Sequence, residues 1–162
     1  MPESVYDASI IGYANVSLGD PTGERRQFLE DLIAAIHRVL SGRDRLRVNT
    51  TLRTEYEQVA RGVRNDVVDQ FFAILTGEGA VAAKNSLRSF ENDRAHKCNW
   101  PSHDRHLIAA AIDGVGVTIH VTENRLGRCA NKVWQVFKIR IEHIRPVLPE
   151  VTDGSKLRRS VP

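Results

Sequence analysis

The chain has 162 residues, 41% of them hydrophobic and 27% charged, which suits one folded domain and excludes a disordered or fibrous class. Its net charge of +3 accommodates a polyanionic partner without requiring one, and its only cysteines, Cys98 and Cys129, lack the spacing of a disulfide framework or a zinc knuckle. No apolar run reaches the about 20 residues of a membrane span and no signal-peptide pattern opens the chain, so a cytoplasmic protein with no membrane partner is expected.

Val5-Tyr6-Asp7-Ala8-Ser9-Ile10-Ile11 is a short apolar run holding one acid, and its length predicts a buried first strand. An aspartate within or at the end of such a strand is costly unless it is paired or coordinates something. The alternative is an Asp that caps the next turn, with Ser9 helping. Gly19 to Gly23 reads as loop, with Thr22 or its neighbours available as a cap. From Glu24 to Leu40, Phe28, Leu32, Ile36 and Val39 recur at helical spacing, which predicts a core-facing helix with a solvated opposite face.

Leu46-Arg47-Val48 is a brief strand candidate, and Asn49-Thr50-Thr51 offers caps for a helix from about Leu52 to Val63. Glu55 falls near the first turn of that helix, where either the helix dipole or a ligand at the sheet edge accounts for it. A further helix starts at Asn65-Asp66 and ends at Gly77-Glu78-Gly79. Val81 to Asn92 is expected to be partly helical, and Asn92 to Pro101 a loop. His96, Cys98, His103 and His106 fall near one another, but their spacing fits no common closed zinc site.

Asp104 then opens a helix through Leu107-Ile108-Ala109-Ala110-Ala111, and Gly114 turns the chain into a buried strand, Val117 to Val121, closed by Thr122-Glu123-Asn124. Phe137, Ile139 and Ile141 alternate with charged residues at period two, which predicts a half-buried strand at the sheet margin. Residues 1–148 read as one domain and 149–162 as a basic, flexible tail.

This alternation predicts an α/β fold around a largely parallel sheet. A helix that follows a parallel strand begins at the edge where the strands end, so Asp7, Glu55, Asp104 and the Glu123-Asn124 pair are expected on one edge. Clustered carboxylates repel one another unless a cation neutralises them. Hard oxygen donors with open positions suit Mg²⁺ or Mn²⁺, and such an ion activates water and stabilises the leaving oxygen of a phosphodiester.

In their order, Val-Tyr-Asp-Ala-Ser-Ile-Ile, Thr-Glu-Tyr, Asp-Arg-His-Leu-Ile-Ala-Ala-Ala and Ile-His-Val-Thr-Glu-Asn-Arg-Leu resemble the motifs of the PIN-domain nucleases, over roughly Val5 to Ile144. The resemblance implies a three-layer α/β/α sandwich that cleaves RNA with Mg²⁺ or Mn²⁺. Many members are toxins of bacterial toxin–antitoxin pairs, so it also implies a cognate antitoxin protein and a homodimer as partners. Position by position, the family's acids would be Asp7, with Ser9 as polar helper, then Glu55 and Asp104. The fourth acid is replaced by Asn124, with Glu123 beside it as a substitute charge and Thr122 as an orienting hydroxyl. Arg53, Arg105 and Arg125 lie next to these positions as candidate phosphate contacts. Two other readings remain: a PIN-like module that binds RNA or a partner without efficient chemistry, and a phosphohydrolase built on His103-Asp104, which would need an all-helical scaffold.

Overall fold

The first strand, β1 (Glu3–Tyr6), lies at the centre of a five-stranded sheet in a computed structural model that describes residues 1–16 and 22–147. The other strands are β2 (Arg45–Val48), β3 (Ala80–Ala82), β4 (Val117–Val121) and β5 (Arg140–His143). They run in the order β3-β2-β1-β4-β5, and every pairing is parallel. Helices α1 (Ala8–Ala14), α2 (Gly23–Leu40), α3 (Thr50–Val59), α4 (Asp66–Thr76), α5 (Ser89–Lys97), α6 (Arg105–Ala111), α7 (Asn124–Gly127) and α8 (Ala130–Phe137) connect them.

The expected three-layer α/β/α sandwich is present. On one face α2 packs with α1 and α4, and the Tyr6 hydroxyl donates to the Ala35 carbonyl of α2 at 2.6 Å. On the other face α6 lies over β1, β2 and β4, and Arg47 Nε donates to the Ala110 carbonyl at 2.7 Å. The five-stranded sheet excludes the all-helical scaffold of a His103-Asp104 phosphohydrolase. Among the described residues, no helix is long and apolar enough to cross a membrane.

Both faces carry buried polar groups, which a parallel sheet tolerates only when they are paired. On the α6 side Glu3 meets Arg45 at 3.2 Å and Arg47 at 3.3 Å. On the α2 side Arg38 donates twice to Asp44, at 2.8 and 3.0 Å, and Ser4 Oγ donates to Asp44 at 2.7 Å. His120 Nε2 lies 3.0 Å from Ser4 Oγ, and its ring stacks on Tyr6 at 4.6 Å. A serine, a histidine and carboxylates in contact suggest a hydrolytic triad by composition. Ser4 and His120 are both 0% exposed, however, so no substrate reaches them.

Several boundaries differ from the sequence reading. The run from Val5 to Ile11 is not one strand: β1 ends at Tyr6 and α1 begins at Ala8. Packed against α2, α3 and α4, α1 buries Ala8, Ile10, Ile11 and Ala14, so it lacks the polar face that marks a surface helix. The helix expected from Leu52 to Val63 spans Thr50–Val59. The partly helical stretch expected from Val81 to Asn92 opens on β3 and is helical only from Ser89, and α5 runs on to Lys97 where a loop was expected. Phe137 closes α8, and Lys138, at φ 57°, turns the chain into β5, the marginal strand. The Gly19–Gly23 loop as far as Pro21, and the tail expected over 149–162, lie outside the described residues.

Candidate active site

The chain leaves β1 towards β2 and β3 on one side, and β4 and β5 lie on the other. A sheet whose order reverses in this way leaves a crevice outside the carboxyl ends of the two strands at the switch, where open α/β folds bind ligands. Asp7 directly follows β1 and Thr122 directly follows β4, so both stand at this crevice. The Asp7 amide donates to the His120 carbonyl at 2.9 Å, which fixes the first turn of α1 against β4.

Asp7, Asp104 and Glu123 occupy the N-cap positions of α1, α6 and α7, yet none of their side chains makes a capping hydrogen bond. Asn49 and Asn65 do cap: their side chains accept from the amides of Leu52 and Val68, both at 3.0 Å. The cap reading of Asp7 therefore holds for its backbone position and not for its carboxylate. Instead, Asp7 Oδ2 accepts from Ser9 Oγ at 3.0 Å, and Ser9 Oγ lies 2.7 Å from Thr122 Oγ1.

Each of the other acids is held by its own scaffold. Trp100, buried, donates from its indole to the Asp104 carbonyl at 2.7 Å, and Arg105 clamps the Trp100 carbonyl through Nε and Nη2 at 3.1 and 3.0 Å. Glu55 sits in the second turn of α3, one residue before Tyr56, whose hydroxyl donates to the Tyr6 carbonyl at 2.6 Å. Asn49 Nδ2 donates to the His106 carbonyl at 3.0 Å and so ties α3 to α6. His106 Nε2 then comes 2.8 Å from Glu55 Oε1.

These acids feel one another. Burial pushes the Asp7 carboxyl above its ordinary pKa, and the charges of Asp104 and Glu55 push it further, against the Ser9 hydrogen bond. Burial likewise raises Asp104; His103, 3.2 Å from its Oδ2, pulls the other way, and Glu123 and Glu55 add to the rise. Glu55 Oε1, Asp104 Oδ2 and His106 Nε2 are buried atoms without a hydrogen-bond partner. The short Glu55–His106 approach is thus a close contact whose geometry forms no hydrogen bond.

Buried carboxylate oxygens that lack a donor, at Glu55 and Asp104, beside the raised carboxyls of Asp7 and Asp104, are groups that a hard divalent cation relieves, so the chemistry of this donor set suits Mg²⁺ or Mn²⁺. Among the described residues no three His, Cys, Asp or Glu side chains close around a single point. The fit is to an ion that keeps several waters and takes one or two carboxylates directly, as Mg²⁺ usually does.

The remaining sequence candidates fall in different places. Glu123 is exposed and contributes its charge at Asp104. Asn124, also exposed, lines a small depression with Gly127, Arg128, His143 and Arg145. Arg105 is engaged with Trp100 and with Asn92 at 3.2 Å, so most of its guanidinium donors are spent on the scaffold. Arg53 is half-buried and Arg125 exposed. Sequence reasoning weighed His106 within a zinc set; the available signal was its place two residues into the segment that Asp104 opens. Compared with known proteins, the chain matches no family model, no curated protein and no solved structure.

Proposed function

We propose that this chain is a divalent-metal-dependent endoribonuclease that hydrolyses RNA phosphodiester bonds, as its resemblance to PIN-domain nucleases implies. The observation that carries the reading is the set of acids at N-cap positions whose carboxylates cap nothing and, for Asp7 and Asp104, have raised pKa values at a topological switch point. Asp7, Glu55 and Asp104 would hold Mg²⁺ or Mn²⁺, with Glu123 alongside. A bound ion there supplies a water of lowered pKa and charge stabilisation at the phosphate under attack.

The chain's own residues prepare that chemistry. The Ser9 hydrogen bond opposes the rise that burial and acidic neighbours impose on the Asp7 carboxyl, and Thr122 holds the Ser9 hydroxyl in place. His106 Nε2 stands 2.8 Å from the buried oxygen of Glu55. Arg53 and Arg125 supply positive charge around the edge for the RNA backbone. In this reading the protein works in the cytoplasm, as a toxin held in check by a cognate antitoxin, and forms a homodimer.

The test is cleavage of a mixed pool of structured and single-stranded RNAs with Mn²⁺, Mg²⁺ or EDTA, for wild type beside Asp7→Asn and Asp104→Asn. Cleavage that EDTA and both substitutions abolish is expected. RNA binding without cleavage would instead make the chain a PIN-like binding module, and cleavage that survives both substitutions would move the chemistry elsewhere.

A further inference from the structure

Asn124 stands where the family resemblance expects an acid, and its neighbours explain the difference. It opens α7 immediately after Thr122 and Glu123, and it lines an open notch of about 370 Å³ with Gly127, Arg128, His143 and Arg145. Among the described residues, two guanidinium groups, an imidazole, an amide and a glycine make up the lining, with no carboxylate. A notch lined by hydrogen-bond donors and positive charge attracts an anion.

The notch is built by close packing. A Cβ at Gly127 would stand 2.5 Å from His143 Nδ1, so the missing side chain is what lets the end of β5 close onto α7. His143 Nε2 lies 3.3 Å from the Thr122 carbonyl, and the Thr122 hydroxyl contacts Ser9, which bonds Asp7. Thr122 therefore links His143 of the notch to Ser9 and Asp7 of the acidic crevice.

We infer that Asn124, Arg128 and Arg145, set against the His143 wall, bind a backbone phosphate of the nucleic acid next to the one that is cut, and that Asn124 belongs to this notch and not to the metal site. The inference rests on the nuclease reading of the edge. An aspartate at 124 would place a carboxylate among the groups that receive the phosphate. The neutral amide donates a hydrogen bond there instead.

The experiment is fluorescence anisotropy of a labelled single-stranded RNA in EDTA, where no metal-dependent cleavage occurs, over a series of salt concentrations. Arg128→Ala and Arg145→Ala are each expected to weaken binding about fivefold and to reduce the salt slope by about 1. Asn124→Asp is expected to weaken binding and to leave the Mn²⁺ requirement of cleavage unimproved. Arg43→Ala removes an exposed charge from the turn after α2 and is expected to change binding less than either notch substitution. The inference is overturned if wild type fails to bind, if the notch variants match Arg43→Ala, or if Asn124→Asp lowers the Mn²⁺ needed for cleavage. A wild type that binds through the notch yet never cleaves sinks the nuclease reading alone. Cleavage by variants that bind as wild type sinks the notch alone.

Discussion

Ser9 and Thr122, 113 residues apart in sequence, bring their hydroxyl oxygens to 2.7 Å across the crevice between β1 and β4. Ser9 also bonds Asp7 Oδ2 at 3.0 Å, and that bond opposes the burial and acidic neighbours that raise the Asp7 pKa. Ser9→Ala removes the opposing contribution, so Asp7 takes up a proton at a higher pH. The acidic limb of the pH–rate profile at saturating Mn²⁺ should move to higher pH, with the plateau above it little changed. A limb that stays in place would separate Asp7 from the titration that controls the rate.

Asp7 should also weaken the fold it serves. Its carboxyl is raised in the folded state, so the native protein binds more protons than the unfolded chain between the two pKa values. Stability is then lost as pH rises through the folded pKa. Asp7→Asn should melt at a higher temperature than wild type at pH 7.5, and the advantage should shrink towards pH 4. Mn²⁺ should reverse the ranking, since a ligand at 100 times its Kd stabilises its protein by about 2.7 kcal/mol and the variant lacks one donor. Thermal melts with and without Mn²⁺ at three pH values decide it.

The Arg38–Asp44 pair carries the opposite sign. Burial raises Asp44, but the forked Arg38 contact and the Ser4 hydrogen bond outweigh it and hold the carboxyl below its ordinary pKa. This stability is present above the unfolded pKa and disappears as pH falls through the folded one. Arg38→Ala leaves a carboxylate at 1% side-chain exposure with no countercharge, whereas Asp44→Asn leaves an arginine at 43% that turns to solvent. Urea unfolding at pH 7 should show Arg38→Ala as the more damaging, by about 3 kcal/mol or more against wild type. The gap should narrow in acid.

Arg105 separates scaffolding from substrate contact. It binds the Trp100 carbonyl through Nε and Nη2 and Asn92 through Nη1, and Trp100 in turn holds the Asp104 carbonyl. Lysine carries the charge but not the fork, so Arg105→Lys should fail to rescue. The expected signature is a fall in kcat and in melting temperature with an unchanged RNA Kd in EDTA. A weakened Kd with a salt slope smaller by about 1 would make Arg105 a phosphate contact after all.

How far the sequence foretold this molecule depended on whether an element has two different faces. α2 presents an apolar stripe and a charged back, and β4 is a bounded run of branched residues, so both were legible nearly to the residue. α1 is buried between helices, so Asp7 seemed to sit inside a strand when it stands between strand and helix. β3 has three residues, too few for a period to emerge. The acids at the crevice were readable because parallel topology sends every strand end to one edge. The Glu55–His106 contact, the clamp of Arg105 on Trp100 and the cations beside Asn124 depend on how α3, α5, α6 and β5 pack, which no local pattern records.

Glu55 and Tyr56 are neighbours with opposite duties. Tyr56 is fully buried and fastens α3 to the last carbonyl of β1, while Glu55 faces the crevice and shares in no hydrogen bond of the fold through its buried oxygen. On the nuclease reading, a lineage loses its chemistry at position 55 by a substitution that costs the fold little, whereas a change at 56 strikes a buried anchor of α3. On that reading, selection on catalysis and selection on persistence are divided between two adjacent codons.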